Sequence, residues 1–156
     1  MDNKDRNKKI LDLTCELLDK MNFAIENAFV EDVEGEENQV LVSLKVTNPA
    51  GLIGFRGRNL AAIQLVLSLM VKNILGDWVR VLLDVNDYRA EQRVRLEKMA
   101  KSLGEKVLAT GKEVSMVSMS AFERRICHLV LQEMEGLVSE SEGEGEDRHI
   151  VIKVKE

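Results

Sequence analysis

A strict two-residue alternation gives way to three-and-four spacing across one short turn, and this change constrains the fold of the chain more than any other feature. Val40, Val42, Leu44 and Val46 lie on one side of an extended segment, with Leu41, Ser43 and Lys45 on the other. That pattern predicts a strand. Asn48-Pro49 stops it and can open a short helical turn, with Asn48 as cap and Pro49 at the first position. Leu60, Ile63, Leu67, Met70 and Ile74 then recur at helical spacing from Asn59 to Leu75. Leu65, Val66 and Leu69 make the other faces of this helix apolar too, so it is expected to pack on two sides. Gly54-Phe55-Arg56-Gly57 lies between strand and helix. Two glycines around two residues let a backbone approach a partner closely, because no Cβ intervenes. Open amides at a following helix N-terminus favour an anion. Arg56 and Arg58 add positive charge, and Ile53 is apolar.

The remaining pattern is mixed. Ile10, Leu11, Cys15, Leu18 and Met21 predict a helix over 6–21, followed by a strand over 23–30 and an acidic turn at 31–38. Residues 78–85 predict a further strand. A break falls at Asn86-Asp87, and a long basic helix runs to Ala109 with Leu96, Met99, Leu103 and Val107 as its core stripe. Ser120 and Glu123 predict a capping box. The helix it opens is expected to bury Phe122, Ile126, Leu129 and Val130. Residues 137–147 predict a strand and an acidic turn, and 150–155 a closing strand. The fold class is α+β, in two small domains, 1–85 and 86–156. Trp78 and Tyr88 flank the junction and are expected to fill packing space there.

Charge narrows the function. The net charge is −5, yet 12 of the 27 acidic residues fall in 31–37 and 133–147, which hold no Lys or Arg. The other positions set 22 Lys and Arg against 15 acids, a net of +7. Fields are confined to roughly 8–10 Å at moderate salt, so a basic surface can bind phosphate locally on an acidic chain. Aromatics are 4% of residues, too few for a broad stacking platform. Cys15 and Cys127 stand far apart and predict reduced, buried thiols. No paired Cys/His spacing predicts a metal, no cofactor is expected, and no uninterrupted apolar run of about 18 residues predicts a membrane span.

Two motifs carry a family resemblance. With its strand–loop–helix–strand surroundings, the Gly54–Gly57 loop makes residues 1–85 resemble a KH domain of the helix-strand-strand-helix-helix-strand type. Such domains clamp the backbone of about four single-stranded nucleotides at this loop. The resemblance implies that Gly54, Phe55, Arg56 and Gly57, with Arg58, hold phosphates and that Ile53 lines a base groove. Phe55 departs from the usual polar centre. Base stacking, a protein contact and weaker phosphate binding all remain open roles for it. Glu123-Arg124-Arg125-Ile126-Cys127-His128, with the later Ser141-Glu142-Gly143 and Arg148, resembles an R-three-H domain, in which helices pack on a small sheet. It implies that Arg124 and Arg125 contact phosphate with His128 beside them.

A KH domain followed by an R-three-H domain is similar to the Jag family (SpoIIIJ-associated protein, KhpB). That resemblance implies a cytoplasmic bacterial RNA regulator or chaperone without catalytic residues. Single-stranded RNA is its expected ligand, with single-stranded DNA an allowed one. It also allows a homodimer, or a heterodimer with another KH protein, and implies no direct membrane insertion. Many members carry an extra N-terminal domain that is not expected here. The competing class is a protein-interaction adaptor or dimerisation module tied to membrane-protein insertion or cell-envelope processes.

Overall fold

The computed structural model describes residues 2–156. The chain divides into two compact units, Met1–Arg89 and Ala90–Glu156.

The first unit contains α1 (Asn3–Lys20), β1 (Ile25–Asp32), β2 (Gln39–Val46), α2 (Ala50–Ile53), α3 (Arg58–Leu75) and β3 (Arg80–Val85). This is the element order expected from the sequence. β2 is central, antiparallel to β1 and parallel to β3. A parallel pair needs a crossover rather than a hairpin, and α2, the glycine loop and α3 supply it. Val40, Val42, Leu44 and Val46 meet Val81, Leu83 and Val85 in the core beneath α1 and α3. α1 contributes Ile10 and Leu18, and α3 contributes Leu60, Ile63, Leu67 and Val71. Polar ties fix the sheet's far end. Asn86 accepts the Val46 amide at 2.9 Å and donates back to the Val46 carbonyl at 3.1 Å. Gln64 accepts from the Leu83 amide and from Arg89.

One expectation for α3 is corrected. Ile74 is exposed rather than part of the buried stripe, and Ser68 and Val71 turn inward instead. Leu65, Val66 and Leu69 are exposed on the opposite side. Trp78 is also exposed, with the Lys72 ammonium 5.5 Å from its ring centroid, so it fills no core. The helical stretch Ala50–Leu75 has a length and apolar character that the core helix of a soluble unit shares with a membrane span. The positive-φ residues Gly54, Arg56 and Gly57 break that stretch, and its inner face closes the first core.

The second unit holds most of α4 (Tyr88–Thr110), then β4 (Val114–Ser115), α5 (Ala121–Gln132), β5 (Leu137–Glu142) and β6 (His149–Val154). β6 is central and antiparallel to both neighbours. α4 buries Leu96 and Val107 as expected, with Ala100 and Gly104 between them, while Met99 and Leu103 lie at the margin of the core. Gly104 is packed under Met134 and Leu137, where a Cβ would stand 2.8 Å from the Met134 sulfur.

α5 is rotated from its expected setting. Phe122 and Leu129 are exposed, and Glu123, Ile126, Cys127 and Leu131 are buried. The cause is polar. Glu123 completes the capping box with Ser120, accepting its amide at 2.8 Å, and also accepts from Gln92 on α4. Fixing Glu123 inward turns the preceding residue by about 100°, out of the core. Cys127 is buried as expected, and Cys15 is half-buried; both are free thiols. Burial, with Glu123 nearby, pushes the Cys127 thiol up to about 11.

Candidate nucleic-acid interface

The Gly54–Gly57 loop is one 3₁₀ turn between α2 and α3. Gly54 has φ +71° and ψ −177°. A Cβ there would lie 2.5 Å from Cγ of Asn59, whose side-chain amide donates to the Gly51 carbonyl at 2.8 Å. Gly57 has φ +77°, and a Cβ on it would approach the Tyr88 ring at 3.2 Å. Both glycines are therefore required by backbone and neighbours together. Tyr88 packs against the first core, in keeping with its expected packing role.

Arg56 also holds a left-handed conformation, φ 54° and ψ 30°, which is unfavourable for a residue with a Cβ. Phe55 is 70% exposed, and the Arg56 guanidinium carbon lies 5.0 Å from its ring centroid. Arg58 is the exposed first residue of α3. No side chain caps α3 and no acidic residue lies in its first turn, so the positive end of its dipole favours an anion, while the Gly57 and Arg58 amides donate to the Gly54 and Phe55 carbonyls. Ile53 is half-buried against the first core, so most of it serves packing. Two cavities of about 510 and 310 Å³ on this unit are lined by other residues, not by 53–58.

In the second unit, α5 carries Arg124, Arg125 and His128. Arg124 is half-buried and donates from Nη1 to the Met119 carbonyl at 2.7 Å, steadying the turn into the helix. Arg125 is exposed. His128 faces β5, where Nδ1 pairs with the Ser139 hydroxyl at 2.7 Å and Nε2 with the Ser141 hydroxyl at 2.9 Å. Burial, and then the Arg124 charge, hold the imidazole below its usual pKa. A ring with both nitrogens engaged by hydroxyls ties α5 to β5. No carboxylate among the described residues bonds to it, as an orienting partner of a general base would. Ser139 escaped the sequence reading, although strand alternation puts it on the same face of β5 as Ser141. The following hairpin is held by Arg148, which donates to the Gly143 carbonyl at 2.8 Å. Gly143 has φ +86°, and a Cβ on it would stand 2.9 Å from the Asp147 carbonyl oxygen. No group of three His, Cys, Asp or Glu among the described residues is placed to hold a metal.

Residues 94–154 match the R-three-H domain family. The chain is 35% identical over 147 residues to a Clostridium symbiosum protein named RNA-binding protein KhpB, covering 94% of this chain and 65% of that one. Bacillus subtilis (strain 168) has a protein of the same name that is 33% identical over 128 residues, 80% of this chain and 62% of its own. A third of that name, from Lactiplantibacillus plantarum, is 31% identical over 124 residues, 80% of this chain and 38% of its own. The chain thus spans less than two thirds of the length of these relatives. An R-three-H domain is present at residues 94–154, in a chain whose relatives are bacterial proteins named RNA-binding protein KhpB, and both findings support the Jag-family resemblance.

Proposed function

We propose that this chain is a Jag-family protein that binds single-stranded RNA without catalysing a reaction on it. It would act in the cytoplasm as a regulator or chaperone of transcripts, through a KH unit (1–85) and an R-three-H unit (86–156). The observation that carries this reading is the Gly54–Gly57 loop. Its backbone is bare where a Cβ would clash, and it projects Phe55 and Arg56 into solvent ahead of an uncapped helix. A phosphate on this loop would meet the positive end of the α3 dipole and the charges of Arg56 and Arg58, with Ile53 edging the space for the neighbouring base. Arg125 and the remaining N–H groups of Arg124 would take a second stretch of backbone, and His128 would keep α5 seated on β5. The relatives' names and the R-three-H match favour RNA over the adaptor reading.

The test is the double substitution Phe55→Asp and Arg56→Asp, with both glycines kept. Binding to a random single-stranded RNA pool should be lost while the circular dichroism spectrum stays native. Unchanged affinity would remove the loop from the interface.

Self-association is compatible with this reading. The exposed row Leu65, Val66 and Leu69 on α3 favours a homodimer or a KH-protein heterodimer. Light scattering of Leu69→Glu against the unaltered chain checks it; equal masses for both would exclude this face from a homodimer.

A further inference from the structure

Phe122 occupies the first turn of α5, yet it is 66% exposed, and among the large hydrophobic residues described only Phe55 is more so. The buried capping-box glutamate beside it fixes the rotation of the helix, so the ring is held outward. Arg125 follows three residues later and Leu129 four residues after that, so the three share a stripe of adjacent turns. Leu129 is 49% exposed. The only carboxylate in α5 is Glu123, which is buried and bonded to Ser120 and Gln92. The outer face therefore presents a ring, an aliphatic side chain and the Arg125 charge, with the half-buried Arg124 beside it and no opposing acid on the helix.

This combination suits a flexible polyanion that carries flat rings. A base can stack on a phenyl face while adjoining phosphates meet guanidinium groups. The exposed row on α3 differs, since Leu65, Val66 and Leu69 offer no aromatic face. The first unit repeats the pairing independently, with Phe55 exposed and Arg56 5.0 Å from its ring centroid.

We propose that Phe122 is a base-stacking residue of the R-three-H unit. A nucleobase of single-stranded RNA lies on its ring, the flanking phosphates meet Arg125 and Arg124, and Leu129 supports the next base. This rests on the RNA-binding reading and adds to the arginine contacts a surface that senses bases.

The experiment compares an oligouridylate with an abasic oligonucleotide of equal length and charge. Phe122→Ala should weaken oligouridylate binding about 5- to 100-fold, the range typical of one lost stacking contact. Affinity for the abasic strand should not change, and Phe122→Tyr should restore binding. In a Trp78→Phe background, which removes the chain's one tryptophan, the indole of Phe122→Trp should be quenched by oligouridylate but not by the abasic strand. Thermal unfolding should be unaltered, because the ring is outside the core. Failure of the unaltered chain to bind either strand would overturn the RNA-binding reading itself. Normal binding by the unaltered chain, with Phe122→Ala equally strong on oligouridylate, would overturn the stacking role alone. Loss of self-association by Phe122→Ala with RNA affinity intact would overturn it in favour of a protein contact.

Discussion

Gly54→Ala is expected to destabilise the first unit by about 2–4 kcal/mol, by two separable routes. The backbone at φ +71° and ψ −177° lies in a region that residues with a Cβ scarcely enter, at a cost of roughly 1–3 kcal/mol. The new methyl group would also stand 2.5 Å from Asn59 Cγ and 2.8 Å from its Cβ. Relief requires the Asn59 side chain to leave the Gly51 carbonyl, losing a bond worth about 0.5–1.5 kcal/mol net. For a unit of this length, total stability is roughly 4–13 kcal/mol at about 0.05–0.15 kcal/mol per residue, so the variant should still fold. Urea denaturation followed by far-ultraviolet circular dichroism and Trp78 emission measures the loss. A lower midpoint at constant slope is the expected signature. Asn59→Gly separates the routes. Alone it should cost about 1–2 kcal/mol, from the lost bond and from glycine near a helix start. Combined with Gly54→Ala it removes the three atoms nearest the new methyl group, all of them in the Asn59 side chain, so the double variant should be less destabilised than the sum by about 1 kcal/mol. Strict additivity, or a cost below about 0.5 kcal/mol for Gly54→Ala alone, would refute the account of why glycine stands there.

The second unit gives further expectations. Arg124→Ala should weaken RNA binding at low salt and reduce the slope of log affinity against log salt by about one, as loss of one phosphate contact does; an unaltered slope in a titration series would assign Arg124 to the Met119 carbonyl alone. For His128 the folded state favours the neutral ring, because burial and Arg124 lower its pKa. Its contribution to stability is thus complete above the unfolded value of about 6.5 and is lost as pH falls through the lower folded value. Thermal midpoints across that acidic range should therefore fall less steeply in His128→Gln, and parallel curves would contradict the assignment. Cys127, buried and with its thiol pushed up to about 11, should resist alkylation at neutral pH until the unit unfolds, while half-buried Cys15 reacts sooner. Mass spectrometry of briefly treated native protein distinguishes them.

Legibility in the sequence followed the reach of the forces involved. β2 was readable because one face is buried along its length, and alternation records that directly. The Ser120–Glu123 capping box was readable because both partners are local. The settings of α3 and α5 were less so. Each helix has more apolar residues than its core uses, and periodicity alone does not choose between overlapping stripes. In α5 the choice was made by Gln92, far away in sequence, which donates to the inward-facing Glu123. His128 could be placed on a face with Arg124, but its two serines lie on a strand beyond the next turn.

The acidic balance of the chain sharpens this picture. Asp32, at the end of β1, is paired with Arg6, while Glu140 and Glu142 on β5 both engage Lys153 on β6. These acids sit on strands and have cations of their own. Glu123 is withdrawn into its capping box. What α5 leaves outward is basic and apolar, and the start of α3 carries no acid. At moderate ionic strength a phosphate responds to charges within about 8–10 Å and scarcely to the total. The disposition of paired acids therefore matters more to the proposed interface than the net charge of −5. It follows that Lys153→Ala, which frees Glu140 and Glu142 on the face of β5 turned away from Ser139, Ser141 and His128, should leave RNA binding at low salt nearly unchanged with little loss of stability, because exposed ion pairs contribute only about 0–1 kcal/mol. A clear loss of binding in this variant would mean that the charge on the far face of the strand reaches the RNA.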